Sequence, residues 1–179
     1  MSSLIRRLVE SIARRLPQPR VIYDVDGSTP YLSRYYLIGR PRMADGSDPF
    51  SPTGEPRPNA IYPRAGLGVY LHHFHRGDKD RELHNHPWLW SLALILAGGY
   101  VEERRQGDAV IKRTLGPGRI NWISHDDYHR VELIDGDSWT LFIAGPKVSS
   151  WGFWDRDTGG FVHWREWIER RRGREVSGG

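Results

Sequence analysis

From Gly66 to Trp164 the chain repeats one pattern, and that pattern limits what it can fold into. Short runs of apolar, β-branched and aromatic residues alternate with glycine-bearing turn signals: Gly98-Gly99, Gly107-Asp108, Gly116-Pro117-Gly118, Asp135-Gly136 and Gly159-Gly160. Such runs read as strands, and such turn residues read as their connections. The spacing predicts strands at 66–75, 91–97, 100–104, 109–115, 119–123, 129–133, 138–144, 148–154 and 161–164. Many short strands joined by tight turns fit an all-β sandwich or barrel. A chain of 179 residues is long enough for one such domain with a real core, and eight Trp, eight Tyr and five Phe supply large apolar area for it.

The flanks read differently. Ser2 to Leu16 carries a helical stripe of Leu4, Leu8, Ile12 and Leu16, with Ile5, Val9 and Ala13 beside it and Pro17 as a stop. Such a helix packs on a barrel or a partner subunit, or lies on a membrane surface as a basic amphipathic element; the stripe does not separate these readings. Arg20–Val25 and Tyr31–Ile38 read as strands around an Asp26-Gly27 turn. Residues 39–66 hold six of the twelve prolines, and read as a long, partly disordered loop and a candidate lid. Residues 165–172 read as one or two helical turns before a small, polar tail. The expected organisation is an N-terminal helix (1–19), strands joining the barrel (20–40), a Pro/Gly-rich loop (41–65), the barrel (66–164), and a C-terminal helix and tail (165–179).

The chemistry concentrates around His84-Asn85-His86. Histidines at i and i+2 share one face of a strand, so both imidazoles can reach one metal ion. A further ligand comes from the segment Ser124 to His129, where His129 opens a strand and His125 is its competitor. His73 and His75 form a rival set on the preceding strand, with His72 on the opposite face.

Two segments of this stretch resemble the paired motifs of the cupin superfamily. His84, His86 and Gly98 fall in register with the first motif, with Ser91 where that motif has Glu; Gly118 and His129 fall in register with the second, with Ser124 and Asp126 in place of its Pro and Gly. The likeness covers about residues 67 to 155, and the pattern L-H-N-H-P-W also resembles small cupin-like proteins of phages and bacteria. The resemblance implies a jelly roll, a double-stranded β-helix, with His84, His86 and His129 facing its interior. It further implies a three-histidine metal site like that of cysteine-dioxygenase-like cupins, holding Fe(II), with Zn, Ni or Mn as alternatives.

Three neutral imidazoles leave coordination positions open, and with Ser91 in place of Glu a divalent ion keeps its full charge, which favours a small anionic substrate. Within that reading Tyr128 or Tyr100 is a candidate to hydrogen-bond a bound oxygen species, and Arg81 to orient a carboxylate. Glu102 or Asp127 is a candidate to hold an imidazole tautomer. The leading expectation is an Fe(II) dioxygenase of a small anionic molecule. The alternatives are a non-redox isomerase, epimerase or lyase using the metal as a Lewis acid, and a non-enzymatic binding module.

Composition removes other classes. No cysteine means no disulfide, no zinc-thiolate site and no thiol nucleophile. Arginine makes up 23 of the 26 basic residues, but acidic residues are interspersed with it, which argues against nucleic acid as a partner. No run is long and apolar enough to span a membrane and no signal peptide is visible, so a cytoplasmic protein is expected, and a homodimer is the expected assembly.

Overall fold

The computed structural model describes residues 2–170 except 25, 27, 52–55, 64, 65, 79–81 and 168. Among these, α1 spans Ser2–Ala13 and eleven strands follow: β1 Arg20–Tyr23, β2 Pro30–Ile38, β3 Gly68–Phe74, β4 Trp90–Ala97, β5 Tyr100–Gln106, β6 Ala109–Leu115, β7 Ile120–Ser124, β8 His129–Leu133, β9 Ser138–Ala144, β10 Gly152–Asp155 and β11 Gly160–His163. Residues 164–167, 169 and 170 are helical.

The strands form two antiparallel layers. One is a six-stranded sheet in the order β1-β2-β3-β9-β4-β7. The other contains β6-β5-β8 and the β10-β11 hairpin, joined by one residue: His84 bridges to His129 on β8 and to Phe153 on β10. Ile95 of the first layer packs with Tyr100, Leu115 and Val131 of the second. This is a jelly-roll β-sandwich, the architecture that the turn grammar and the motif spacing predict.

Alternation sets what the interior contains. Leu32, Arg34 and Tyr36 on β2 lie opposite Phe74, His72 and Tyr70 on β3, and these lie opposite Ser138, Thr140 and Phe142 on β9. Ser91, Ala93 and Ile95 on β4 share that inner face. The outer face carries α1, whose Val9 and Ala13 pack on Leu71, Ala97 and Trp139. Gly98 makes the tight β4–β5 turn with φ +72°, and a Cβ there would lie 2.1 Å from the Asp137 carbonyl oxygen.

Three expectations need correction. The helix docks through Ile5, Val9, Ala13 and Leu16, leaving Leu4 72%, Leu8 59% and Ile12 43% exposed, so the buried stripe is rotated from the one the leucines suggest. The strand expected at 148–154 begins only at Gly152, because the Val148 and Ser149 N–H groups both donate to the Pro87 carbonyl and pull the chain out of the ladder. His84 and His86 do not share a regular strand either: among the described residues the segment before Pro87 pairs only through two isolated bridges at His84, to His129 and to Phe153. In the proline-rich segment the described part is anchored. Arg42 and Ile61 exchange backbone hydrogen bonds, and buried Phe50 stacks on Tyr36 at 5.7 Å.

Candidate metal centre

The backbone brings His84 and His129 face to face. Each donates its N–H to the other's carbonyl at 2.9 Å, the geometry of a close antiparallel pair. Asn85 then locks the segment from the other side. Its N–H donates to the Gly152 carbonyl at 3.0 Å, its Oδ1 accepts the Gly152 N–H at 2.9 Å, and its Nδ2 donates to the His125 carbonyl at 3.1 Å. The central residue of H-N-H is therefore a clamp that fixes the two histidines beside it. His86 is walled by Trp88 and Phe142, each with its ring centroid 5.7 Å away.

The three imidazoles converge. Their ring centroids lie 4.9 to 5.6 Å apart, and one nitrogen from each falls within 4.8 Å of the other two. His129 Nδ1 lies 2.8 Å from the Glu102 carboxylate, which accepts a hydrogen bond from Nδ1–H and turns the Nε2 lone pair inward. Ser91 Oγ donates to the Ile123 carbonyl at 3.5 Å and sits 3.3 Å from His86 Nδ1, so that nitrogen is assigned the proton and its Nε2 also faces inward. Two Nε2 atoms with inward lone pairs, 3.2 Å apart, repel unless a cation lies between them. An ion about 2.1 Å from each imidazole nitrogen, with ligand angles between about 90° and 109°, sets those nitrogens about 3.0 to 3.4 Å apart. The donor set fits a divalent metal.

Behind this cluster lies a buried ionic network. Glu102 is fully buried. Its Oε1 accepts from His129, from Arg104 Nη2 at 2.8 Å and from Asn121 Nδ2 at 2.8 Å; its Oε2 accepts from Arg113 Nε at 3.2 Å. Burial alone pushes this carboxyl up, but the hydrogen bonds from His129, Arg104 and Asn121, with the electrostatic attraction of His129, outweigh it and hold it well below the usual range. Arg104 also reaches Asp127 at 2.9 Å. Burial, then the charges of His129, His84 and Arg34, drive His86 well below the ordinary histidine value, so it stays a neutral donor near pH 7.

The remaining site candidates lie elsewhere. Tyr128 is half-buried against Trp154 at 5.2 Å, and no contact joins it to the three imidazoles among the described residues. Tyr100 is buried in the apolar core, its hydroxyl accepting from Asn121 Nδ2 at 3.4 Å. It reaches His129 only through Asn121 and Glu102, and burial raises its phenol to about 12. Arg81 lies outside the described residues. His125 turns to Asp126 at the surface, 3.1 Å away. His73 and His75 lie under α1 on the outer face, bonded to Asp137 at 2.7 Å and Ser33 at 2.8 Å. Of the two candidate carboxylates Glu102 holds His129, whereas Asp127 pairs with Arg104 and caps the Ser124 N–H. Reading the sequence left out Arg34 and undervalued His72. The β2–β3 alternation puts them on one face, but nothing in the sequence says which face is inner.

No protein-family model matches the chain, and no curated protein matches it. Solved structures do. The enzyme HppE with iron(II) and substrate superposes with a TM-score of 0.48 at 11% identity, over 72% of this chain and 56% of that one. Hydroxypropylphosphonic acid epoxidase from S. wedmorenis gives 0.46 at 10% identity, over 72% and 58%. The DMSP lyase DddQ from Ruegeria pomeroyi DSS-3 gives 0.44 at 20% identity, over 69% and 51%. The chain spans about half the length of the solved structures it matches.

Proposed function

We propose that this chain is a cupin-like, metal-dependent enzyme acting on a small anionic molecule, with His84, His86 and His129 as the metal ligands. The observation that carries the proposal is the pair of inward Nε2 atoms 3.2 Å apart inside the sandwich, each with its Nδ1 engaged from behind. Surface histidines do not need a buried glutamate and a serine to set their tautomers. Ser91 stands where the cupin motif has Glu, but it supports His86 from its far side and adds no charge to the donor set. A bound Fe(II) supplies redox chemistry with dioxygen at its open positions, and this is the first reading. The chain's own residues fix two imidazole tautomers, wall the site with Trp88 and Phe142, and keep His86 neutral.

Metal analysis of anaerobically purified protein tests this. Stoichiometric iron with substrate-dependent oxygen uptake supports the dioxygenase. Bound Zn, Ni or Mn with turnover and no oxygen uptake moves the assignment to a lyase, isomerase or epimerase. Metal content unchanged by His86→Ala refutes the site itself.

A further inference from the structure

One ring away from the three histidines lies the Arg34 guanidinium. Arg34 on β2 faces inward, directly opposite His72 on β3. Its Nε–H donates to His72 Nε2 at 2.9 Å, and its guanidinium carbon lies 4.9 Å from the Tyr70 ring centroid and 5.8 Å from that of Trp88. Trp88 in turn meets His86 edge-on at 5.7 Å. Among the described residues no carboxylate pairs with Arg34, although the other interior arginine, Arg104, has two. Arg20 lies close enough for the two guanidinium charges to oppose each other.

The neighbouring polar groups are also short of partners. With Nε2 accepting from Arg34, the His72 proton is on Nδ1, and that buried N–H meets no acceptor among the described residues. The hydroxyl of Thr140, the cross-strand neighbour of His72 on the same inner face, is buried and equally unpartnered. An unmade buried hydrogen bond costs about 1–3 kcal/mol, so two side by side mark a place where a polar molecule belongs.

We infer that Arg34 anchors the carboxylate of the substrate, which makes the substrate class a small carboxylate whose far end reaches the three-histidine cluster. The Nε–H···His72 bond and the two flanking rings hold the guanidinium plane, leaving both terminal nitrogens for a two-pronged grip on the carboxylate oxygens. His72 and Thr140 form the polar wall beside it. The inference rests on the metal-centre reading for what the far end meets, but the anchor itself binds without metal.

The test is calorimetric titration of the full chain, metal-free and zinc-loaded, with propionate, 1-propanol and n-propylamine. Propionate binds, and the alcohol and the amine do not. Arg34→Gln weakens propionate at least tenfold in both forms and leaves zinc stoichiometry unchanged; a surface control, Arg156→Gln, changes neither. Wild-type affinity for propionate in Arg34→Gln overturns the inference, and so does equal binding of propionate and propanol by the wild type. If Arg34→Gln does not fold, Arg34→Lys decides: it keeps the charge but loses the fork, so propionate binding at least threefold weaker supports the anchor and unchanged binding refutes it. Zinc that survives His86→Ala would sink the metal centre and leave the Arg34 result standing.

Discussion

Replacing Glu102 by Gln isolates what the buried carboxylate does, because the substitution keeps shape and removes charge. Glu102 is 0% exposed and accepts hydrogen bonds from His129, Arg104, Asn121 and Arg113. The amide retains one acceptor oxygen but presents an N–H₂ group to guanidinium donors, so Arg113 or Arg104 loses its partner. Breaking a buried pair on one side costs about 3–5 kcal/mol, and the retained acceptor places Glu102→Gln near the low end, about 3 kcal/mol. Metal affinity falls about tenfold, because His129 loses the charge that orders its tautomer. The pH dependence has a definite sign. The folded carboxyl lies below its ordinary value of 4.5, so its stabilisation is complete above that pH and is lost as the pH falls toward the folded value. The difference in urea-unfolding free energy between wild type and Glu102→Gln is therefore flat from pH 6 to 8 and narrows below about pH 4.5. Urea midpoints and zinc competition measure both quantities on the same samples. A variant with wild-type midpoint and wild-type zinc affinity at pH 7 would refute the assignment of Glu102 as the support of His129.

Two further predictions address the outer face. Val9→Ala destabilises by about 1.5–2.5 kcal/mol, since Val9 is buried against Leu71 and Trp139, whereas Leu8→Ala, at a largely exposed position, stays within about 0.5 kcal/mol; a larger loss at Leu8 in urea denaturation would mean the helix docks in the other phase. Asp137 accepts from Arg6 on α1 at 2.6 Å and from His73 at 2.7 Å. Burial raises this carboxyl, but the two hydrogen bonds dominate and place it below its ordinary 3.8. Asp137→Asn therefore costs about 1 kcal/mol at pH 7, and the gap between variant and wild type narrows as the pH falls below about 4. A gap that stays constant as the pH falls through this range would assign the effect to packing.

The strands from Tyr100 to Ala144 are legible because their turns are spelled in glycine and aspartate, and hairpin grammar is local. The position of His129 was legible for the same reason: β8 begins with it, and strand alternation fixes its face. The helix phase was not. Leucine and isoleucine at 4, 8 and 12 make the stronger stripe by residue type, but docking is decided by what the sheet offers. Leu71, Ala97 and Trp139 leave a shallow seat that takes the smaller Val9 and Ala13. His84-Asn85-His86 was found for a partly mistaken reason. A regular strand there would set the two imidazoles by pleat alone. The structure instead fixes them by the two bridges at His84 and the Asn85 clamp, neither visible without knowing that β8 and β10 flank the segment.

Arg34 shows where reading along a chain stops. In sequence it is one charge in a tyrosine-rich strand, and a lone arginine between aromatic residues is most economically placed at the surface. Only non-local pairing, β2 against β3 and β3 against β9, turns its face inward and aligns it with His72 and Thr140. Nearness to His84 in sequence makes Arg81 the carboxylate anchor to expect, whereas Arg34 reaches the same region across two sheet registers. The two arginines make separable claims: a propionate affinity lost in Arg81→Gln and kept in Arg34→Gln would return the anchor to Arg81. Ring contacts already tie Arg34 to His86 through Trp88, so the interior route is the one the geometry supports.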